Sequence, residues 1–146
     1  MIVHLARHGQ TVWHRPNRYA GSSDIDLDDV GRAQAGHLAR WAARAGLDAL
    51  VSSDLRRAVD TAAPAARATG LTPVVDPRLR EVDFGTAEGR TLADLEKDVA
   101  ERFVADPVTH HFPGGEPPGA AAARARAALD DLAAAYPEGR VLVVAH

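Results

Sequence analysis

Runs of apolar residues recur along the chain, each long enough for one buried strand. They lie at residues 2–6 (IVHLA), 47–53 (LDALVSS), 72–76 (TPVVD) and 141–145 (VLVVA). Most of these runs are apolar at consecutive rather than alternating positions, which is typical of strands that are covered on both faces. The pattern therefore predicts four strands of a mainly parallel sheet that lies between helices.

The segment 31–46 (GRAQAGHLARWAARAG) has the period of an amphipathic helix. Its apolar residues follow the i, i+3, i+4, i+7 spacing of one buried face, whereas its arginines fall elsewhere. The residues of this stripe are Leu38, Trp41, Ala42 and Ala45. Gly46 is expected to end the helix, because glycine readily adopts the left-handed conformation that closes a last turn.

A second helix is predicted over residues 54–70. Asp54 is a suitable N-cap for it, and Gly70 is a suitable stop. Pro64 lies inside the segment, and an interior proline costs roughly 3 kcal/mol because it removes one helical hydrogen bond. We therefore expect a bend or an early end at Pro64.

Two further helices are predicted in the second half of the chain. One covers residues 91–104, with Thr91 as its cap. The other covers residues 120–135, where alanines and Leu132 form one stripe.

Strands and helices alternate throughout the sequence, which is typical of α/β proteins. The predicted fold is a three-layer α/β/α sandwich with a mainly parallel sheet and helices on both faces. A length of 146 residues suits one domain, and we expect residues 1–146 to form it.

Composition and charge exclude several classes of protein. Hydrophobic residues make up 46% of the chain, the formal charge is -3, and no long basic block is present, so a nucleic-acid partner is not expected. The absence of cysteine excludes disulfides, thiolate metal sites and cysteine nucleophiles. The sequence shows neither a secretory signal nor a membrane-spanning stretch, so we expect a cytoplasmic protein with no membrane partner.

Polar residues suited to chemistry follow the predicted strands. Two come directly after the first strand, and one comes after each of the others: Arg7, His8, Arg57, Glu81 and His146. The carboxyl ends of parallel strands meet at one edge of a sheet, which is where ligands bind in α/β proteins. Two histidines, two arginines and one carboxylate would then share one crevice.

This set of side chains suits phosphate chemistry without a metal ion or other cofactor. The planar guanidinium of arginine matches phosphate oxygens and stays charged. A neutral imidazole beside two guanidinium groups resists protonation, since like charges disfavour its cationic form, and it can act as a nucleophile. Arg7, Arg57 and His146 would compensate the charge of a transferred phosphoryl group, and Glu81 would give the leaving oxygen its proton.

Several segments resemble the motifs of the histidine phosphatase superfamily, the phosphoglycerate mutase-like enzymes. Residues 5–11 (LARHGQT) are similar to the signature of that family, and residues 52–62 (SSDLRRAVDTA) to its second arginine motif. Residues 79–89 (LREVDFGTAEG) resemble the segment that bears the acid, and residues 112–116 (FPGGE) a later loop. Residues 141–146 (VLVVAH) resemble the strand that ends in a second histidine, so the resemblance spans the chain in the family's order.

The resemblance implies a role for each candidate residue. His8 would be phosphorylated transiently, and Glu81 would protonate the leaving oxygen and then activate water. The phosphate would be bound by the other residues of the crevice and by neighbours of the signature: Arg7, Gln10, Thr11, Arg57 and His146. The implied protein is a metal-independent phosphatase of the histidine acid phosphatase type, which hydrolyses a small phosphorylated metabolite. Two alternatives stay open, a phosphoglycerate mutase-type phosphotransferase and an inactive, truncated phosphate-binding remnant.

The sequence departs from the family's pattern at two places that affect the site. Many relatives have asparagine where this chain has His14. Histidine can also donate one hydrogen bond, so His14 could take the place of that asparagine in the pocket. The alternative interpretation places His14 on the loop surface. Relatives continue beyond the second histidine into glycines, whereas this sequence ends at His146. We therefore expect a C-terminally truncated chain.

The remaining basic residues have simpler interpretations. The other histidines are expected to pack or to cap: His4, His37, His110 and His111. A metal site that combines the last two with His146 is not expected, because no further ligand lies at a suitable spacing. Arg56 and Arg124 are interpreted as surface charges.

Overall fold

The sheet of this protein has four strands, and the last strand lies between the first two. In a computed structural model that describes residues 1–146, these strands are β1 (Ile2–Arg7), β2 (Ala49–Ser52), β3 (Val74–Val75) and β4 (Arg140–Ala145). All neighbours pair in parallel, in the order β1-β4-β2-β3. The predicted parallel α/β sheet is confirmed.

Helices cover both faces of this sheet. The chain has four α-helices: α1 (Asp29–Ala42), α2 (Arg56–Thr69), α3 (Lys97–Ala105) and α4 (Pro118–Ala135). Leu50 and Leu142 pack with alanines of α1 and α2, whereas Val51 and Val143 pack with Ala128 of α4. Successive side chains of a strand point to opposite faces, so this division places a layer of helices on each side and confirms the three-layer sandwich. None of the helices is both long enough and apolar enough to span a lipid bilayer.

β1 forms one edge of the sheet and has β4 as its single partner. Leu5 is 72% exposed and Ile2 is 50% exposed. The expectation that this strand is covered on both faces is therefore wrong for these positions. The helices pack mainly over β2 and β4, whose residues supply much of the two core clusters.

The buried face of α1 differs from the predicted stripe. Its buried residues are small and lie about one turn apart: Gly31, Ala35, Ala39 and Ala42. Trp41 is 37% exposed and packs edge-on against His4, with 5.0 Å between the ring centroids. Small residues let α1 approach α2 closely, so the large Trp41 ring lies at the edge of the contact. The helix begins two residues before the predicted start, because Asp28 caps it by accepting a hydrogen bond from the backbone N–H of Gly31 (2.8 Å), and it ends before Gly46.

The C-terminal end of α2 agrees with the sequence prediction, whereas its N-terminal cap does not. Leu55 occupies the N-cap position without a capping side-chain bond, whereas Asp54 accepts a hydrogen bond from Arg80 Nε at 2.6 Å. The predicted N-cap is therefore wrong, because a paired carboxylate gains more from a guanidinium than from one backbone N–H. Gly70 ends the helix as predicted, with a φ of 73° and a hydrogen bond from its N–H to the carbonyl of Ala66 (2.9 Å).

α2 continues through Pro64 to Thr69, so the early end considered for it is wrong. Ala62 and Ala65, on either side of the proline, are 1% and 0% exposed and belong to the core cluster beneath α1 and α2. Burial of these side chains stabilises the helix against the loss of one backbone hydrogen bond.

The helix predicted over residues 91–104 is divided into two parts. A single 3-10 turn covers Leu92–Asp94, and the backbone N–H and hydroxyl of Thr91 both donate to the Asp94 carboxylate at 2.8 Å. α3 begins only at Lys97. Thr91 therefore closes a short turn rather than the predicted long helix.

Candidate active site

The residues expected to carry chemistry meet at the carboxyl ends of three neighbouring strands. His8 follows β1, His146 follows β4 and Ser53 follows β2. β1 pairs with β4 so that Arg7 lies opposite Ala145, which brings the two histidine rings to a centroid separation of 5.0 Å. The order of the strands thus places side by side two histidines from opposite ends of the sequence.

The loop after β1 holds His8 in one orientation. The residue is 7% exposed, and its Nδ1 lies 2.7 Å from the carbonyl oxygen of Gly9. Since a carbonyl only accepts, Nδ1 carries the proton and Nε2 keeps its lone pair. The backbone N–H of Gly9 donates to Thr61 Oγ1 at 2.9 Å, which ties the loop to α2. This arrangement leaves Nε2 as the ring nitrogen that carries a lone pair.

Two glycines let this loop lie directly on the start of α1. A Cβ at Gly9 would come within 2.6 Å of the carbonyl oxygen of Gly31, and a Cβ at Gly31 within 2.1 Å of the carbonyl oxygen of Gln10. Any side chain at either position would displace the loop that carries His8.

Arg57 is fully buried beside His8, and backbone carbonyls hold its guanidinium. Its Nε–H donates to His8 Nε2 at 3.3 Å. Its terminal nitrogens donate to the carbonyls of Ala20, Gly21 and Ser23 at 3.1, 2.7 and 2.7 Å. Arg57 is therefore fixed next to the atom of His8 that would accept a phosphoryl group.

Arg7 supplies a second guanidinium at the end of β1, where it is exposed. The ion pairs of the protein all lie elsewhere, and neither Arg7 nor Arg57 has a carboxylate within 4 Å. An anion that enters the site would therefore meet two positive charges that are not engaged in ion pairs.

Glu88 supports the loop that holds Arg57, a role that the sequence analysis did not predict. Its carboxylate accepts hydrogen bonds from the backbone N–H groups of Gly21, Ser22 and Ser23 at 3.0, 2.9 and 3.3 Å. The carbonyls of this loop are then free to bind Arg57. No local pattern could have revealed the contact, because Glu88 lies 67 residues from Gly21 in the sequence.

Burial and positive neighbours keep both central histidines neutral. Burial, with Arg57 and Arg7, lowers the pKa of His8 to about 4, although the hydrogen bond to the Gly9 carbonyl acts in the opposite direction. Burial, together with Arg57 and His8, lowers the pKa of His146 to about 2. Both rings are therefore unprotonated at pH 7, the state expected of a histidine nucleophile.

His146 is oriented by Ser53, whose Oγ lies 2.7 Å from Nε2 of the ring. The other ring nitrogen, Nδ1, is buried and has no hydrogen-bond partner in the protein. Buried polar atoms nearly always have a partner, so this nitrogen is one of the few unsatisfied polar atoms of the protein. The sequence analysis assigned no role to Ser53, although its position directly after β2 was a signal that it lies at this edge of the sheet.

Two cavities lie on either side of His8. The first, of about 390 Å³, is next to α1 and is lined by Gln10, whose amide donates to Asp28 Oδ2 at 2.9 Å. The second, of about 240 Å³, brings Glu81 together with Arg7, His8 and His14. It is the candidate active-site pocket, because it brings His8 together with Glu81.

His14 carries its proton on the nitrogen opposite to that of His8. Its Nδ1 lies 3.0 Å from the backbone nitrogen of Thr11 and 2.9 Å from Thr11 Oγ1. A backbone N–H only donates, so Nδ1 accepts and Nε2 carries the proton. His14 lines both cavities, which favours the pocket over the loop surface among its two interpretations. Thr11 is fully buried and lines neither cavity, so it orients His14 rather than facing the pocket.

Arg124 is not the surface charge that was expected. Its side chain is 22% exposed and pairs with Glu116, with 2.6 Å between Nη2 and Oε2. Its remaining hydrogen bonds reach the loop that carries Glu81, which explains its burial. Arg56 agrees with its surface interpretation, since its side chain is 56% exposed and pairs with Asp26.

The other histidines lie outside this site. His37, His110 and His111 are exposed. No group of three or more histidine or acidic side chains lies close enough together to hold a metal ion.

Comparison with known proteins agrees with this geometry. The profile of the histidine phosphatase superfamily (branch 1) matches residues 3–146. The bifunctional protein Rv2228c of Mycobacterium tuberculosis is 42% identical over 152 aligned residues, which cover 97% of this chain and 40% of that protein. The "Probable phosphoglycerate mutase GpmB" of Yersinia pestis is 36% identical over 147 residues, which cover 99% of this chain and 68% of that protein.

A solved structure gives the same result at the level of the fold. The mycobacterial glucosyl-3-phosphoglycerate phosphatase Rv2419c superposes with a TM-score of 0.88 at 36% identity, over 97% of this chain and 72% of that one. The chain thus spans 40% of the length of the mycobacterial bifunctional protein and about three quarters of the length of this phosphatase. The motif resemblance, the fold and the profile agree, and the chain belongs to the histidine phosphatase superfamily, branch 1.

Proposed function

We propose that the site belongs to a phosphomonoester hydrolase that acts on a small phosphorylated metabolite through a phosphohistidine on His8. The observation that carries the proposal is the buried His8 ring, with Nδ1–H bound to the Gly9 carbonyl and Nε2 beside Arg57. A neutral imidazole whose Nε2 lone pair accepts only a long hydrogen bond from Arg57 (3.3 Å), next to two guanidinium groups with no carboxylate within 4 Å, suits attack on phosphorus once a substrate displaces that contact.

The proposed reaction has two steps, transfer of the phosphoryl group to His8 and its hydrolysis. In the first, the lone pair of His8 Nε2 forms a bond to phosphorus, the bond from phosphorus to the leaving oxygen breaks, and Glu81 gives that oxygen a proton. In the second, the Glu81 carboxylate takes a proton from water, whose oxygen attacks phosphorus, and the electron pair of the N–P bond returns to His8. Arg7, Arg57 and His146 bind the phosphoryl oxygens throughout.

The relatives support the class of substrate. One neighbour is named for glucosyl-3-phosphoglycerate and one relative for phosphoglycerate, so both names contain a small phosphorylated acid. The cavity of about 240 Å³ with His8 and Glu81 in its wall has room for a phosphate group with a small substituent.

The nucleophile is tested by replacing His8. His8→Ala should lower phosphate release from p-nitrophenyl phosphate by roughly a thousandfold or more, because no other side chain can take over covalent transfer. The acid-labile phosphoenzyme seen after a quench with labelled substrate should also disappear. His37→Ala, an exposed histidine on α1, is the matched control and should leave both unchanged. A phosphoenzyme that persists in His8→Ala would remove His8 from its role.

The 36% identity to a protein named as a phosphoglycerate mutase favours one alternative, phosphoryl transfer between positions of the same substrate. Incubation with 3-phosphoglycerate separates the two activities, since a hydrolase releases inorganic phosphate and a mutase forms 2-phosphoglycerate. Phosphate binding without either product would instead indicate a phosphate-binding remnant.

A further inference from the structure

We propose that Arg124, held by Glu116, is a positioning residue that fixes the loop carrying Glu81, so that its carboxyl group stays in line with the leaving oxygen. The inference rests on the proposed function, in which Glu81 is the proton donor. It assigns Arg124 an action through the loop and not on the phosphate.

The hydrogen bonds of Arg124 account for its entire donor capacity. Nη1 donates to the carbonyls of Arg78 and Arg80 at 2.8 and 2.6 Å, and Nη2 donates to the carbonyl of Glu81 at 2.9 Å. Nε and Nη2 donate to the two carboxylate oxygens of Glu116 at 2.7 and 2.6 Å. A guanidinium has five N–H groups, and these five bonds use all of them.

A guanidinium occupied in this way has no N–H group left for a substrate. Arg124 differs in this respect from Arg7, which makes no ion pair and lines the pocket with His8. The chemistry of the contacts therefore favours a supporting role for Arg124, although it is an arginine close to a phosphate site.

The Glu81 side chain itself has little other support, although its neighbour Arg80 is paired with Asp54. Residues 80–84 form no helix or strand, and the one hydrogen bond of the Glu81 carboxylate is to the backbone N–H of its neighbour Val82 (2.8 Å). Local geometry alone therefore does not fix where the Glu81 side chain lies. The backbone carbonyls of Arg78, Arg80 and Glu81 are instead all held by the planar guanidinium of Arg124 on α4.

Glu116 binds both Arg124 and the loop that carries Glu81, and we call the Arg124–Glu116 pair the clamp. Its backbone N–H donates to the carbonyl of Asp83 at 2.8 Å, while its carboxylate pairs with Arg124 in a bidentate manner. The loop is thus bound before Glu81 by Arg124 and after Glu81 by the backbone of Glu116. The hydrogen bonds from Arg124 also lower the pKa of Glu116, which keeps the pair ionised under ordinary conditions.

The decisive variant is Arg124→Lys, because lysine keeps the charge but loses the planar fork and two of the five donors. If Arg124 acts through its charge, lysine should preserve its function. If Arg124 acts through its five hydrogen bonds to the loop and to Glu116, lysine should not preserve it. Arg126→Lys is the matched control, since Arg126 lies on the same helix with 83% of its side chain exposed.

The measurement is kcat/KM for two substrates that differ in their need for a proton donor, p-nitrophenyl phosphate with a good leaving group and glycerol 3-phosphate with a poor one. Arg124→Lys should lower kcat/KM for glycerol 3-phosphate by at least tenfold and for p-nitrophenyl phosphate by less than threefold. Affinity for inorganic phosphate should change by less than twofold, which shows that the variant is folded with its phosphate pocket intact. Glu116→Gln should give the same selectivity to a smaller extent, and it replaces Arg124→Lys if that variant does not fold.

Glu81→Gln separates failure of this inference from failure of the proposed function. If Glu81→Gln is selective for the poor leaving group and Arg124→Lys slows both substrates equally, the positioning role is overturned and the proposed acid stands. If Glu81→Gln itself slows both substrates equally, the acid assignment fails and the inference fails with it. In the expected outcome, Glu81→Gln combined with Arg124→Lys is no slower with glycerol 3-phosphate than Glu81→Gln alone, because both changes remove the same proton transfer.

Discussion

His8 and His14 line the same pocket but carry their protons on different ring nitrogens. The hydrogen-bond partner of Nδ1 sets the difference in each ring. The Nδ1 of His8 faces a carbonyl, which can only accept, and the Nδ1 of His14 faces the backbone N–H of Thr11, which can only donate. His8 therefore presents a lone pair at Nε2, and His14 presents an N–H there. The proposed nucleophile and its neighbouring hydrogen-bond donor are both histidines, and contacts with the backbone set which ring nitrogen of each carries the proton.

The donor role of His14 predicts how phosphate affinity responds to substitution. His14→Phe keeps a ring but removes the N–H, and a hydrogen bond to a charged group is worth about 1.5–3 kcal/mol, so the Kd for inorganic phosphate should rise by roughly tenfold or more. His14→Asn is the control, because an amide also donates one hydrogen bond, and it should stay within about threefold of the unchanged protein. Titration calorimetry measures both. Equal affinity in His14→Phe would place His14 outside the phosphate contacts.

At the scale of one element, α2 shows how packing overrides a local preference. The helix carries Arg57 into the site near its start and includes Pro64 near its end. The alanines that flank the proline are buried against α1 and the sheet, so leaving the helical conformation would expose them. The helix therefore keeps the proline at the cost of one backbone hydrogen bond.

Replacing Pro64 by a residue with a backbone N–H should restore the missing hydrogen bond of α2. Pro64→Ala should raise the free energy of unfolding by about 1–3 kcal/mol, since alanine supplies the missing N–H and has the best helix propensity. Urea denaturation followed by circular dichroism measures the change. Pro118→Ala, at the first turn of α4 where a proline N–H is not needed, should change the stability by less than about 1 kcal/mol. A loss of stability in Pro64→Ala would show that the proline shapes the helix in a way that alanine cannot.

The elements were predictable from the sequence to the extent that local pattern determines them. The apolar runs predicted the four strands and their parallel arrangement, and Gly70 marked the end of α2. Trp41 and Asp54 were misassigned, because a tight contact between two helices selects small residues and because Asp54 has a stronger partner in Arg80. Neither fact is visible within one segment.

The residues of the candidate site were also predictable only in part. That His8, Glu81 and His146 lie near one edge of the sheet could be predicted from motifs and from positions after strands, whereas the contacts that orient them could not. Ser53 lies 93 residues from His146, and Arg124 lies 46 residues from Arg78. Such partners meet only in the folded chain, so the supporting residues require a structure.

At the scale of the whole molecule, the buried histidines link stability to pH. In the unfolded chain a histidine binds its proton near pH 6.5, whereas the folded protein lowers the pKa of His8 to about 4 and that of His146 to about 2. Between these values and 6.5 the unfolded state binds more protons than the folded state. Stability is therefore full above pH 6.5 and falls as the pH is lowered through this window.

The slope of this loss is a measurable prediction. The free energy of unfolding should fall by about 1.4 kcal/mol per pH unit for each of the two histidines between pH 6 and pH 4.5. Burial also lowers the pKa of His14, which adds to the slope, so His8→Gln should reduce the slope by somewhat less than half in urea denaturation at a series of pH values. His37→Gln, which changes an exposed histidine, should leave it unaltered. An unchanged slope in His8→Gln would show that the folded protein does not hold this ring neutral.

The position of β4 between β1 and β2 also dictates when a binding site can exist during folding. β1 and β2 have no contact as neighbouring strands, so the sheet is two separate pieces until the strand that is last in sequence inserts between them. The same insertion brings His146 beside His8 and Ser53. Such long-range parallel pairing is slow compared with helix formation. Affinity for phosphate should therefore emerge together with the insertion of β4, which makes a bound anion a reporter of the step that joins β1 to β2.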